Sequence, residues 1–167
     1  MFSLNELRIG NILILGFRHT GKSTLVKEIL KSKGLKNGLI INPRGNNYEE
    51  FDNVVEYYNG EEVNDFLVLD DCHNPLEILE KTKPKFFILV EMSKSFLPRE
   101  FESNINTVFI FRDGFYKNRN KIYNQYLLNP QVMSMETFYA FMDTLEDTGD
   151  CLVLLYKWKL LFYHNKI

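Results

Sequence analysis

A glycine-rich stretch near the start of the chain has the residue types and the spacing of a phosphate-binding loop. It runs from Gly16 to Ser23 and fits the pattern G-x-x-x-x-G-K-[ST]. The loop amides and the positive end of the following helix bind phosphate oxygens in such a motif. Lys22 would reach the β- and γ-phosphates, and the Ser23 hydroxyl would ligate Mg²⁺. The motif therefore predicts a site for ATP and Mg²⁺.

The predicted nucleotide-binding residues are those of the loop and the residue after it. They are Gly16, Phe17, Arg18, His19, Thr20, Gly21, Lys22, Ser23 and Thr24. Gly16 and Gly21 allow backbone torsions and close approaches that a Cβ atom would block. Arg18 and His19 occupy variable positions, and we interpret them as solvated or neighbour-contacting side chains.

A pair of acids, Asp70 and Asp71, follows the apolar run 66–69. Ligands bind at the carboxyl ends of strands in open α/β sheets, so Asp70 is predicted to hold Mg²⁺, directly or through water. Asp71 is predicted to orient and deprotonate an attacking water. A kinase must exclude that water, so the pair favours ATP hydrolysis. The alternative for both acids is a plain turn before Asn74.

The elements that must position these groups alternate along the chain. An apolar strand over 11–15 precedes the loop, and a helix with apolar residues at helical spacing follows it. Residues 44–64 are predicted to form a polar, irregular or helical connection that carries a short strand and is anchored by Tyr48, Phe51 and the pair Val54-Val55. Further strands are predicted at 38–42, 65–71, 86–91, 107–111, 151–155 and 160–163, and further helices at 96–102, 115–127 and 133–146. The pattern predicts an α/β fold with a mostly parallel central sheet flanked by helices.

Composition limits the class of protein. The 167 residues, with 45% hydrophobic and 25% charged side chains, are typical of one globular domain over 1–167. A net charge of −2 predicts that any contact with nucleic acid is local. The two cysteines, Cys72 and Cys151, are interpreted as buried structural thiols in a reducing compartment. We find no signal peptide and no stretch that could span a bilayer.

Taken together, these segments resemble the FtsK–HerA type of P-loop ATPase, and within it the genome-packaging ATPases of large DNA viruses, of poxvirus type. The resemblance covers nearly the whole chain. Its most specific part is a strand, a short helix with a Leu-Pro pair, an asparagine and another strand. The matching segments are 12–26, the strand ending in Asp70-Asp71-Cys72, the stretch from Phe87 through Leu97-Pro98 and Asn104 to Phe111, and 138–153.

The resemblance implies a motor that pumps double-stranded DNA into a virus particle. The motor would be a homo-oligomeric ring, a pentamer or a hexamer, with a capsid or portal-vertex protein as a candidate partner. Its location would be the host cell cytoplasm, at the viral factory, and the virion. The sheet would be of the additional-strand, RecA-like type, with strand 86–91 between the P-loop strand and the Asp70 strand.

The resemblance also implies two further functional positions. ATP would lie between subunits, and the neighbour would supply an arginine finger. Arg119 lies where that finger falls, Arg99 and Arg112 are alternatives, and a solvated helix charge is the competing interpretation of Arg119. A polar sensor normally ends strand 86–91, but this chain has Glu91 there, with Ser93 as the alternative.

Two other functions stay open. A nucleotide or nucleoside kinase also uses this loop, but its acidic strand usually lies beside the P-loop strand. An interaction module that binds ATP with little turnover would fit the unusual residue Glu91. Strand order distinguishes the kinase, and an assay of turnover with and without DNA distinguishes the module.

Overall fold

The computed structural model describes residues 2–44, 47–92, 97–128, 132–145, 149–155 and 159–163, with only the backbone described at Arg99. Within these ranges eight strands form one sheet. They are β1 (Ile12–Leu15), β2 (Gly38–Ile41), β3 (Val54–Val55), β4 (Phe66–Asp70), β5 (Phe86–Glu91), β6 (Thr107–Phe111), β7 (Cys151–Leu155) and β8 (Lys159–Tyr163). The α-helices are α1 (Lys22–Ser32), α2 (Pro75–Thr82), α3 (Arg99–Glu102), α4 (Tyr116–Ile122) and α5 (Met135–Thr144).

The strand order is β3-β2-β4-β5-β1-β6-β7-β8. The strands from β3 to β6 are parallel, and β7 and β8 complete the sheet as an antiparallel hairpin. The predicted α/β class with a mostly parallel sheet is therefore confirmed. Strand β5 separates β4 from β1, as the resemblance implies. The parallel arrangement brings the P-loop after β1 and the acids after β4 to the same edge of the sheet.

Alternating side chains of the strands build one apolar core on each face. In β1, Leu13 and Leu15 contribute to one core, and Ile12 and Ile14 to the other. The first core includes residues of α2, α4 and α5, and the second includes the apolar face of α1. Strands that are buried on both faces read as continuous apolar runs, and this explains why the sequence located them so well.

Helix α2 was missed by the sequence analysis, which assigned no element between the Asp70 strand and the strand over 86–91. Asn74 has a left-handed φ of 52° and precedes the helix, and Pro75 occupies its first turn. Proline suits that position because its missing N–H is unpaired there in any helix. An ion pair between Glu77 and Lys81 at 2.6 Å supports the exposed face.

Two other helix predictions need correction. The helix predicted over 96–102 begins later, at Arg99, because Pro98 precedes it and its carbonyl accepts the amides of Phe101 and Glu102. The helix predicted over 115–127 is α4 followed by one π-helical turn, Tyr123–Leu127. Ser93, the alternative sensor, and Phe96, the first residue of the predicted helix over 96–102, lie outside the described residues.

The environments of the two cysteines differ from each other. Both cysteines are free thiols; Cys151 is buried and Cys72 is half-buried. Burial raises the pKa of the Cys72 thiol to about 12, so it is protonated at neutral pH. Each helix in the described ranges is too short or too polar to cross a bilayer.

Candidate nucleotide-binding site

The P-loop passes so close to β6 that its first glycine has no room for a side chain. A Cβ atom on Gly16 would lie 2.5 Å from the Cβ of Phe111. Gly21 has a φ of 95°, in the left-handed region that favours glycine. The Phe17 amide donates to the Arg112 carbonyl at 3.3 Å, and the Thr20 hydroxyl closes the loop onto the Phe17 carbonyl at 2.9 Å. The predicted loop geometry therefore rests on packing against β6.

Lys22, the first residue of α1, folds back over the loop. Its Nζ donates to the carbonyls of Gly16 at 3.1 Å and Phe17 at 2.7 Å. Burial lowers the pKa of this ammonium, and the nearby carboxylates of Asp71 and Asp70 act in the opposite direction. Since phosphate oxygens are charged acceptors, they would bind this ammonium more strongly than the two carbonyls do.

Ser23 and Asp70 come into direct contact across the sheet edge. The Ser23 hydroxyl donates to Oδ2 of Asp70 at 2.7 Å, and the Tyr48 hydroxyl donates to the same oxygen at 2.7 Å. Burial raises the pKa of the Asp70 carboxyl, whereas the hydrogen bonds from Ser23 and Tyr48 act to lower it. Burial and the Asp70 charge raise the pKa of the Tyr48 hydroxyl, so the hydroxyl stays protonated and acts as a donor.

These oxygen atoms fit the metal that the motif predicts. Mg²⁺ prefers hard oxygen ligands and usually takes only one or two from protein side chains, with phosphate and water as the others. Ser23 and Asp70 supply a hydroxyl and a carboxylate of this kind. In the described part of the chain no three acidic, cysteine or histidine side chains form a metal-binding cluster. A bound Mg²⁺ would neutralise charge on the β- and γ-phosphates.

Asp71 lies beside Asp70 but has a different partner. Its Oδ2 atom pairs with the guanidinium of Arg44, which follows β2, at 3.1 Å. The Asp71 backbone has a φ of 54°, and its amide donates to the Val90 carbonyl of β5 at 3.1 Å. The half-buried carboxylate thus stands at the ends of β4 and β5, where a water-activating base is expected. Its role as that base stays a prediction.

Glu91 ends β5 at the position expected of a sensor. It is buried and pairs in register with Leu15, the residue immediately before the P-loop. Its side chain also lines a cavity of about 610 Å³ together with Cys72, Asn74 and Leu97. Position and burial agree with a site residue, and the catalytic contribution of Glu91 stays a prediction.

Arg119 is an interior residue of α4 rather than a solvated charge. Its side chain is only 9% exposed, and its Nη1 pairs with the exposed carboxylate of Asp143 on α5 at 2.7 Å. Its Nε donates to the Asp113 carbonyl, and its guanidinium lies 5.8 Å from the centroid of the Tyr139 ring. The solvated-charge interpretation is therefore wrong. A finger role, which stays a prediction, would require Arg119 to leave these partners.

The remaining loop side chains point outwards. Arg18, His19 and Thr24 are exposed, as expected of the variable positions, and the Phe17 ring packs against Phe115 with centroids 5.3 Å apart. Arg112 directly follows β6 beside the subunit's own P-loop.

Two contacts of the acids were not anticipated. Tyr48 was predicted only as an apolar anchor, yet it hydrogen-bonds to Asp70, and Arg44 was not singled out although it pairs with Asp71. One feature could have indicated these contacts, because both residues follow the carboxyl end of β2. That strand neighbours β4, and the two strands end at the same edge of the sheet. That feature depends on the strand order, which sequence alone did not give.

Comparison with known proteins supports the fold. Three solved structures of the genome packaging NTPase B204 from Sulfolobus turreted icosahedral virus 2 are similar to this chain. The complex with sulfate has a TM-score of 0.65 at 16% identity, covering 95% of this chain and 97% of that one. The complex with ATP-gammaS has a TM-score of 0.64 at 14% identity, covering 99% and 100%. The complex with AMPPCP has a TM-score of 0.64 at 16% identity, covering 93% and 97%.

At these identities the similarity establishes the fold. The chain has the P-loop NTPase fold of a viral packaging NTPase, over nearly its whole length. No family model matches the chain, and no curated protein matches it. The resemblance inferred from the residues is therefore confirmed at the level of architecture.

Replacing Lys22 should abolish nucleotide binding without unfolding the protein. In Lys22→Ala the lost hydrogen bonds are to loop carbonyls only, so the apolar cores stay intact. Binding of a fluorescent ATP analogue and thermal unfolding would be measured together. Lys33→Ala is the matched control, because Lys33 lies at the end of the same helix and donates to the Asn5 carbonyl on the surface. Retained binding in Lys22→Ala would contradict the site.

Asp71→Asn should separate hydrolysis from binding. Asparagine tolerates the left-handed backbone and keeps the size of the side chain, so folding and nucleotide affinity should persist. Loss of the base should slow ATP hydrolysis by about 10²–10⁴-fold in a phosphate-release assay. Asp65→Asn, which removes an exposed acid paired with Lys85, is the control. A normal rate in Asp71→Asn would show that Asp71 is not the base, and Glu91 would become the first candidate for water activation.

Proposed function

We propose that this chain is one subunit of an ATP-hydrolysing motor that moves double-stranded DNA and packages a viral genome. Residues 1–167 would form a single ATPase domain, with ATP and Mg²⁺ as cofactors. The motor would act as a homo-oligomeric ring in the host cell cytoplasm and the virion, with a capsid or portal-vertex protein as a further partner.

The observation that carries this proposal is the insertion of β5 between β4 and β1. This order leaves the carboxyl end of β5, with Glu91, between the P-loop and the acid pair. In the proposed motor, Asp71 would act as the second carboxylate, on a water near the γ-phosphate. A site with a candidate base and a candidate sensor at these two positions supports hydrolysis.

The strand order also argues against the kinase alternative. In that alternative the strand bearing Asp70 would lie directly beside the P-loop strand, whereas β4 and β1 are both bonded to β5. The ATP-binding interaction module stays the second candidate, because Glu91 is an unusual sensor. Turnover separates it from a motor.

Support for genome packaging as the use of the energy comes from B204, whose fold this chain shares. With a net charge of −2, the chain has no global positive field, so DNA would be held by local contacts inside a ring. The ring supplies many such contacts at once, because each subunit repeats them.

A DNA-length series tests the motor directly. ATP hydrolysis would be measured with duplexes of increasing length at constant nucleotide-pair concentration. A translocating motor should hydrolyse faster on longer duplexes until dissociation at the ends no longer limits it. Lys22→Ala is the inactive control. An ATP hydrolysis rate that does not change with DNA would favour the interaction module, or an ATPase with another task.

A second test concerns the arginine finger, which we propose to be Arg119 supplied by the neighbouring subunit. A finger stabilises charge on the transferring phosphoryl group and contributes roughly 10³–10⁵ in rate. Release of Arg119 for this role requires the loss of its ion pair with the two-thirds exposed Asp143, its hydrogen bond to the Asp113 carbonyl and its contact with the Tyr139 ring.

Mixing Arg119→Ala with Lys22→Ala should restore part of the ATPase activity, because mixed interfaces pair an intact P-loop with an intact finger. The rate per subunit of the unmodified protein should also rise with protein concentration. Circular dichroism checks that Arg119→Ala still folds. Rescue with Arg99→Ala or Arg112→Ala instead would relocate the finger, and a concentration-independent rate with no rescue would argue for a monomer.

A further inference from the structure

One buried side chain of the connection between β2 and β3, that of Tyr48, reaches the candidate nucleotide-binding site. Tyr48 is 1% exposed, and its ring belongs to the core that α1 covers. The ring packs edge-to-face on Phe51 with centroids 6.2 Å apart. A tyrosine buried this deeply needs a hydrogen-bond partner for its hydroxyl, and Asp70 is that partner at 2.7 Å.

The hydrogen-bond geometry constrains the Asp70 carboxylate. Tyr48 and Ser23 donate from two different elements to the same oxygen, Oδ2, each at 2.7 Å. Rotation of the carboxylate about its Cβ–Cγ bond would break both hydrogen bonds together. The two donors therefore fix the orientation of Oδ1, the second oxygen of the group.

The connection that carries Tyr48 is itself tied to α1. Glu50 pairs with Lys31 at 3.0 Å and with Lys27 at 3.6 Å, both on that helix. The same helix begins with Lys22 and Ser23. Tyr48 is therefore held by the element that holds the P-loop, and it transmits that position to the acid at the end of β4.

We propose that Tyr48 is a positioning residue that holds the Asp70 carboxylate in the orientation needed for Mg²⁺. This inference rests on the proposed nucleotide site, and it assigns to Tyr48 a role that the P-loop motif does not contain. Groups that orient a metal ligand typically change metal affinity or activity by about 10–100-fold when they are removed.

Tyr48→Phe tests the proposal because it removes the hydroxyl and keeps the ring. The measurement is the Mg²⁺ concentration that half-saturates binding of a fluorescent ATP analogue, with binding in EDTA as the baseline. We expect this concentration to rise by about 10-fold, with the EDTA baseline unchanged. Thermal unfolding of the same samples reports whether the variant folds.

Two further variants make the result specific. Tyr163→Phe removes an equivalent hydroxyl-to-carboxylate hydrogen bond, to Glu28 at 2.7 Å, outside the site. Phe86→Leu, at the start of β5, removes a ring that stacks on Phe66 with centroids 5.7 Å apart and loosens the core at the end of the strand away from Glu91. Both should keep the normal Mg²⁺ requirement, even where stability falls. An unchanged requirement in Tyr48→Phe, or an equal rise in all three variants, would overturn the proposal.

Nucleotide binding as the readout distinguishes a failure of the proposed motor from a failure of the proposed role of Tyr48. A protein that binds nucleotide with the predicted Mg²⁺ dependence but hydrolyses none would refute the motor and leave the role of Tyr48 intact. Nucleotide binding by the unmodified protein that ignores Mg²⁺ would overturn the role of Tyr48 as well.

Discussion

The hydrogen bond between Ser23 and Asp70 is the contact on which the rest of the site depends. It joins the first turn of α1, which follows β1, to the end of β4, a strand that does not neighbour β1 in the sheet. Because β5 lies between β4 and β1, this hydrogen bond spans the carboxyl end of β5 and links the segments that follow its two neighbouring strands. The parallel strands bring the P-loop, the acid pair and Glu91 to the same edge of the sheet, and this hydrogen bond holds Ser23 against Asp70 there.

The burial of Asp70 strengthens its hydrogen bond with Ser23 and also makes its ionised carboxylate less stable. A carboxylate that is only 4% exposed loses most of its solvation, which is why its pKa is raised. Two hydroxyl donors and the nearby Lys22 ammonium compensate for part of that loss. The arrangement is suited to a divalent cation, since a buried carboxylate with few competing waters interacts strongly with positive charge.

The sequence predicted the parts of the fold that depend on local pattern. The central strands were located because both of their faces are buried, and the P-loop because its residue types follow from phosphate geometry. Helix α2 escaped because its eight residues bury only Leu79 fully, so its apolar pattern is weak. The roles of Tyr48 and Arg44 could not be predicted, because they depend on the adjacency of β2 and β4. The interior position of Arg119 could not be predicted either, because it depends on packing against α5.

The left-handed backbone at Asp71 limits which side chains evolution can place there. A residue with a φ of 54° carries a steric cost of roughly 1–2 kcal/mol unless it is glycine, asparagine or aspartate. Glutamate, the longer acid, would carry that cost, so a change in the length of the acid at this position would also require a different turn. We expect homologous chains with this turn to favour those three residues at the position.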